Sequence, residues 1–188
     1  MATTSDLSRG AFLRYNNELI QVVDYVHITP GKGQAQYQVK GKNVKTGKQS
    51  EIRFRSGEKI DLVRVITKEM QYLYKEGDSL ICMDIETFEQ LPIPEILFGN
   101  SNRFLQESMN VTIQFDENEE PVFAEPPTFV ELEITYTEPG IRGDTATRTL
   151  KSATLETGAE ISVPLFVDMG EVIKIDTRTG EYVERVKK

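Results

Sequence analysis

One lysine in this chain is placed to do chemistry, or to touch something that does. Lys32 stands in Thr29-Pro30-Gly31-Lys32-Gly33-Gln34-Ala35, between two runs that read as β-strands. Glycine on both sides permits positive φ and removes side-chain bulk. The amine therefore stands free at a tip, with room for a target to close around it. A primary amine can sit as a cation among phosphates, accept a covalent extension, or form a Schiff base. The last role needs a desolvated site that lowers the amine's pKa, and a Gly-flanked loop tip supplies none. The plainer alternative is a solvated turn, since loops concentrate both variability and function. A nucleotide-binding P-loop is excluded. The nearest approach runs from Gly41 to Gly47-Lys48-Gln49, with five residues between the glycines, Gln in place of the hydroxyl, and strand-like sequence following.

Other reactive side chains are scarce. His27 is the only histidine and Cys82 the only cysteine. No His-rich metal site or His-paired serine nucleophile can be assembled convincingly, and no intrachain disulfide can form, which fits a reducing cytoplasm. Cys82, in Leu80-Ile81-Cys82-Met83, reads as a small buried apolar residue. Asp116-Glu117-Asn118-Glu119-Glu120 lacks the glycine, spacing and flanking helices of an EF-hand and reads as a solvated turn. No enzyme activity, metal or cofactor is expected.

The elements that must position Lys32 are short strands. Leu19–Val26 precedes the loop and Gln36–Val44 follows it, with proline and glycine between them as in a hairpin. Ser50–Arg55 alternates strictly, so Arg53, Arg55, Lys40, Lys42 and Lys48 project between inward apolar positions. This reads as a small curved antiparallel barrel over residues 1–65. A second unit, 66–127, holds Gln71–Tyr74 and Ser79–Asp84 about a turn, a helix expected near Asn102–Ser108, and Asn110–Phe115. Pro126-Pro127 breaks the chain. A third unit, 128–188, opens with the alternating Phe129–Tyr136 and resumes at Ala153–Leu155, Ile161–Val167, Val172–Asp176 and Tyr182–Val186. Five short strands suit an OB-type barrel. The expected class is all-β, in three small barrels.

Charge is divided along the chain. Residues 1–64 carry 11 Lys/Arg against 6 Asp/Glu, a net of +5, whereas 65–188 carry 11 against 24, a net of −13. The first part suits phosphates, and the acidic remainder limits random sticking to RNA and favours one orientation. No run of 18 apolar residues crosses a membrane, and Met1–Asp6 lacks the basic and apolar segments of a secretory signal.

Three stretches then carry a resemblance. They are Pro30-Gly31-Lys32-Gly33-Gln34-Ala35; Tyr72-Leu73-Tyr74 with Asp84 and Glu86–Gln90; and Lys151–Gly158 through Val163–Val167, Gly170-Glu171 and Asp176–Tyr182. The chain resembles bacterial elongation factor P along essentially its whole length. The resemblance implies an SH3-like, KOW-type N-terminal barrel followed by two OB-fold barrels, in an L shape comparable to a tRNA. It implies a cytoplasmic monomer that binds the ribosome (rRNA and ribosomal proteins) beside the P-site peptidyl-tRNA and relieves stalls at consecutive prolines. Lys32 matches the tip position that a modifying enzyme extends in many members. Pro30, Gly31, Gly33 and Gln34 match the loop that approaches the peptidyl-transferase centre. Gly143, Asp144 and Thr145 match a loop near the small subunit and the mRNA at the E site, and Tyr182 and Arg185 match a pair that contacts the tRNA backbone. Thr29 departs from the lysine common there, which leaves the type of modification open. The competing readings are a factor-like paralogue with another role and a free single-stranded-RNA-binding OB protein. The acidity of the two OB units and the absence of Trp count against the latter.

The charge division makes a prediction. Replacing Arg53 and Arg55 together by Gln should weaken ribosome binding and lower the slope of log affinity against log salt by about two. Titration at four salt concentrations measures it, and an unchanged slope would show that neither side chain meets phosphate.

Overall fold

The computed structural model describes residues 2–140 and 150–186. They form three antiparallel sheets, each built from strands too short to be stable alone. The first contains β1 (Ala2–Thr3), β2 (Phe12–Tyr15), β3 (Glu18–Ile28), β4 (Gln36–Asn43), β5 (Gln49–Arg55) and β6 (Lys59–Val63), in the order β1-β6-β2-β3-β4-β5. Period-two patterning sets its inside. Ile52 and Phe54 are buried while Arg53 and Arg55 are exposed, and Leu13, Ile20, Val22 and Val39 complete the core. A bulge between Val22 and Asp24 interrupts the β3–β4 ladder and leaves Val23 exposed. Such an extra residue bends the strand and increases its twist.

The second sheet contains β7 (Ile66–Glu76), β8 (Ser79–Asp84), β9 (Gln90–Pro94), β10 (Asn110–Phe115) and β11 (Pro121–Glu125), ordered β11-β10-β7-β8-β9. The third contains β12 (Phe129–Thr137), β13 (Leu150–Leu155), β14 (Glu160–Pro164), β15 (Val172–Asp176) and β16 (Glu181–Arg185), ordered β14-β13-β12-β15-β16. The two orders follow one plan. The first strand of each unit is central, its next two lie on one side and its last two on the other. In the third unit β14 also lies against β16, which turns the sheet toward closure. The all-β class and the OB character of these units agree with the sequence reading.

The helix expected over Asn102–Ser108 is displaced. The helical turns are 3₁₀ and run over Glu95–Phe104, broken at Gly99 (φ 56°, ψ −138°), and Leu105 is already extended. A helix there would gather Phe104, Leu105 and Met109 on one apolar face. In the structure these residues serve two cores. Leu97, Phe98 and Leu105 belong to the middle one. Phe104, 1% exposed, is buried among Leu132, Ile134, Leu155, Ile173 and Ile175 of the third sheet, with Met109 packed at its edge. Cys82 is fully buried, and burial pushes its thiol up to about 12, so it is no nucleophile. Asp116 organises its own turn, accepting from the backbone N–H of Asn118 (2.8 Å) and Glu120 (3.1 Å).

The sheets share side chains across their boundaries. Val44, just past β4, packs on the middle core, and Phe12 meets Phe123 with ring centroids 6.4 Å apart. At the second junction the buried Thr177 hydroxyl donates to the carbonyls of Pro127 (2.7 Å) and Thr128 (3.2 Å). Beside it, Arg178 bonds both carboxylate oxygens of Asp176, at 3.1 and 2.7 Å.

Phe104→Ala should leave a cavity in the third core and cost about 3–5 kcal/mol, read by denaturant melts. A loss within 0.5 kcal/mol, the range of surface sites, would refute the shared core. The Arg178 guanidinium holds the Asp176 carboxyl at about 2 rather than 3.8. Because the folded value is the lower one, this stabilisation is complete above about pH 4 and disappears as pH falls toward 2. Asp176→Asn should therefore flatten the fall of melting temperature over that window, and an unaltered profile would refute the linkage.

Candidate functional site

The tip loop is held by two of the longest strands of its sheet. His27 pairs with Tyr37 and Ile28 with Gln36 across the β3–β4 ladder, and Gln36 and Gln38 pair in turn with Arg55 and Arg53 of β5. The ladder runs to the base of the loop, where Ser56 N–H donates to the Ala35 carbonyl at 2.9 Å. From Thr29 to Gln34 every residue is exposed. Gly33 has φ +119°, a conformation L side chains rarely adopt, and no atom stands within 4 Å of where a side chain would start at Gly31. Among the described residues, no hydrogen bond or ion pair engages the Lys32 amine. Pro30, Gly31, Gly33 and Gln34 thus frame a solvated cation on a stiff arm.

The arm carries more than the cation. His27 lies parallel to Tyr37, centroids 4.4 Å apart and 11° between planes, and Tyr25 adds a third ring 6.1 Å from Tyr37. The sequence gives His27 no role beyond that of the chain's only histidine, and nothing in it announces this stack. Its signal is the ladder register, which sets residues 27 and 37 opposite each other only after the loop length is known.

Arg53 and Arg55 leave the outer face of β5. Arg53 makes a loose exposed pair with Glu51 at 3.4 Å. The Arg55 backbone N–H bonds Glu58 at 2.7 Å, and its guanidinium has no ion-pair partner among the described residues. Arg9 pairs with Asp24 at 2.7 Å, and its hydrogen bond holds the Asp24 carboxyl below its usual value.

At the other end of the chain, Tyr182 and Arg185 converge on a residue the sequence reading missed. Phe166, 58% exposed, receives Tyr182 edge-on at 6.4 Å and lies under the Arg185 guanidinium at 5.0 Å. Arg185 also bonds Glu171 at 3.0 Å. Gly143, Asp144 and Thr145 lie outside the described residues. Just before that segment, a Cβ on Gly140 would come within 2.6 Å of the Leu165 carbonyl, so only glycine fits there. The described residues contain no group of three or more His, Cys, Asp or Glu side chains able to hold a metal, and no helix among them is long and apolar enough to cross a membrane.

Comparison with known proteins decides what this arrangement belongs to. Residues 3–60 match the KOW-like domain of elongation factor P, 65–124 its OB domain, and 130–185 its C-terminal domain. The chain is 49% identical over 185 residues to elongation factor P of Chloroflexus aurantiacus, covering 98% of each chain. The chain belongs to the elongation factor P family. Elongation factor P of Roseiflexus sp. (strain RS-1) is 48% identical over 187 residues, covering both chains completely, and that of Acidothermus cellulolyticus is 49% identical over 185 residues. Among solved structures, the eukaryotic translation initiation factor 5A from Methanococcus jannaschii superposes with a TM-score of 0.51, at 22% identity, over 61% of this chain and 85% of its own. That likeness extends the fold beyond the family. Membership assigns the chain the role of a translation elongation factor.

Because Lys32 is exposed and no described residue partners its amine, Lys32→Ala should shift stability by no more than about 0.5 kcal/mol. A larger loss in thermal or denaturant melts would mean that the amine holds the loop together.

Proposed function

We propose that this chain binds the ribosome beside the P-site peptidyl-tRNA and speeds peptide-bond formation at consecutive prolines by positioning the tRNA acceptor end. The observation that carries this reading is the exposed Lys32 amine, without a partner among the described residues and set between two glycines at the end of the β3–β4 ladder within the family's KOW-like domain. An amine free of internal partners can give its charge and hydrogen bonds to an RNA end. Holding that end lowers the entropic part of the barrier without supplying a reacting group, so the factor is no enzyme by itself.

The remaining assignments follow from the same reading. The chain acts in the cytoplasm as three barrels, 1–65, 66–127 and 128–188, in an L-shaped, tRNA-like arrangement. Lys32 is the substrate of a lysine-modifying enzyme that lengthens its reach. Arg53 and Arg55 neutralise RNA phosphates, and Tyr182 and Arg185 meet the tRNA backbone. The Gly143-Asp144-Thr145 loop reads the mRNA side at the E site. As an acceptor, the Asp144 carboxylate takes a base amino group or a 2′-hydroxyl rather than a phosphate.

In a reconstituted translation system, Lys32→Ala should lose most of the parent's rescue of a proline-run reporter. Full rescue by this variant would overturn the central role of the amine.

A further inference from the structure

The His27–Tyr37 stack is more than the tip arm needs in order to pair. The two residues face each other across the ladder, five positions before Lys32 and five after it. Tyr37 is half-buried against the core of the first barrel, with Tyr25 beside it. His27 lies over Tyr37 with one ring face, at 4.4 Å and nearly parallel, and the residue is exposed. A planar π-surface is therefore fixed in orientation before any ligand arrives. It stands on a backed aromatic, at the root of the loop that carries the cation. Phe54 lies opposite Tyr37 in the next ladder, so the rings share the core side of the sheet, whereas Arg53 and Arg55 leave the other side. The ring face thus suits an uncharged planar group rather than a phosphate.

Unpaired RNA bases are recognised by stacking on aromatic side chains, histidine included, and each stacked base adds binding that tolerates any sequence. We propose that the open face of His27 stacks an unpaired nucleobase of the RNA end that Lys32 approaches. The division of labour is then local. The amine meets the backbone or the terminal sugar, and the imidazole ring clamps one base and fixes the rotation of the strand. This inference rests on the proposed function, because it takes the acceptor end of peptidyl-tRNA as the RNA in reach.

The test uses the full-length factor on ribosomes programmed to stall at a proline run. Their P-site tRNA carries 2-aminopurine in turn at each unpaired 3′-terminal position. Stacking quenches this base analogue. The parent should quench one position at least twofold, and His27→Phe, which keeps a π-face, should retain that quench. His27→Leu still covers Tyr37 but offers no π-face. It should lose the quench even at factor concentrations that saturate the ribosomes. Retention of the quench by His27→Leu would reduce His27 to a stiffener of the arm and overturn the proposal. Acceleration by the parent with no position quenched would overturn the stack while leaving the proposed function intact. Absence of any acceleration by the parent would overturn both.

Discussion

The structure depends on side chains lent across boundaries. Barrels of about 60 residues bury a limited share of their surface and are marginal alone. Here the middle unit gives Phe104 to the third core, and the hairpin of the first unit gives Val44 to the second. The loans have geometric consequences. Phe104 can occupy the third core only if the chain leaves its helical turns at once, and Leu105 is accordingly extended. Gly180 lies under Arg103, where a Cβ would collide with the guanidinium, and that guanidinium also lies 4.6 Å from the Phe104 ring. Packing energy that no single barrel can supply thus also fixes the joints between them.

Packed joints give meaning to a loop from which packing is withheld. The Thr29–Gln34 loop is exposed throughout, its glycines leave room around the amine, and beyond the bulge the ladder beneath it runs unbroken from Asp24 to Ile28. A cation on a stiff arm can be delivered to a defined point. The same cation on a mobile tail would forfeit binding energy to ordering. The charge division complements this. Under the proposed function, the basic first unit meets RNA phosphates and the acidic remainder discourages other orientations.

Much of this was legible in the sequence, for identifiable reasons. Period-two alternation in Ser50–Arg55 and Phe129–Ile134 gave the faces of those strands directly, because the pattern is strictly local, whereas the bulge after Ile134 turns Tyr136 outward against the pattern. Pro30, Gly31 and Gly33 marked the tip by their backbone chemistry. The helix near Phe104 was misplaced because its apolar residues divide between two cores, which no single-face periodicity can reveal. β9 and β11 went unnamed because prolines at 92, 94 and 121 masked strands that lie at the edges of their sheet, where proline is tolerated. The His27–Tyr37 stack and the Phe166 platform are long-range pairings, and they appear only once ladder register and loop packing are known.

The central claim is that the factor positions and does not react. The temperature dependence of single-turnover peptide-bond formation between consecutive prolines, with and without the factor at saturation, tests it most directly. Positioning predicts that the acceleration resides in a less unfavourable activation entropy, with activation enthalpy nearly unchanged. An acceleration carried by a lowered activation enthalpy, with entropy unchanged, would contradict the account and point to a chemical role for the Lys32 amine.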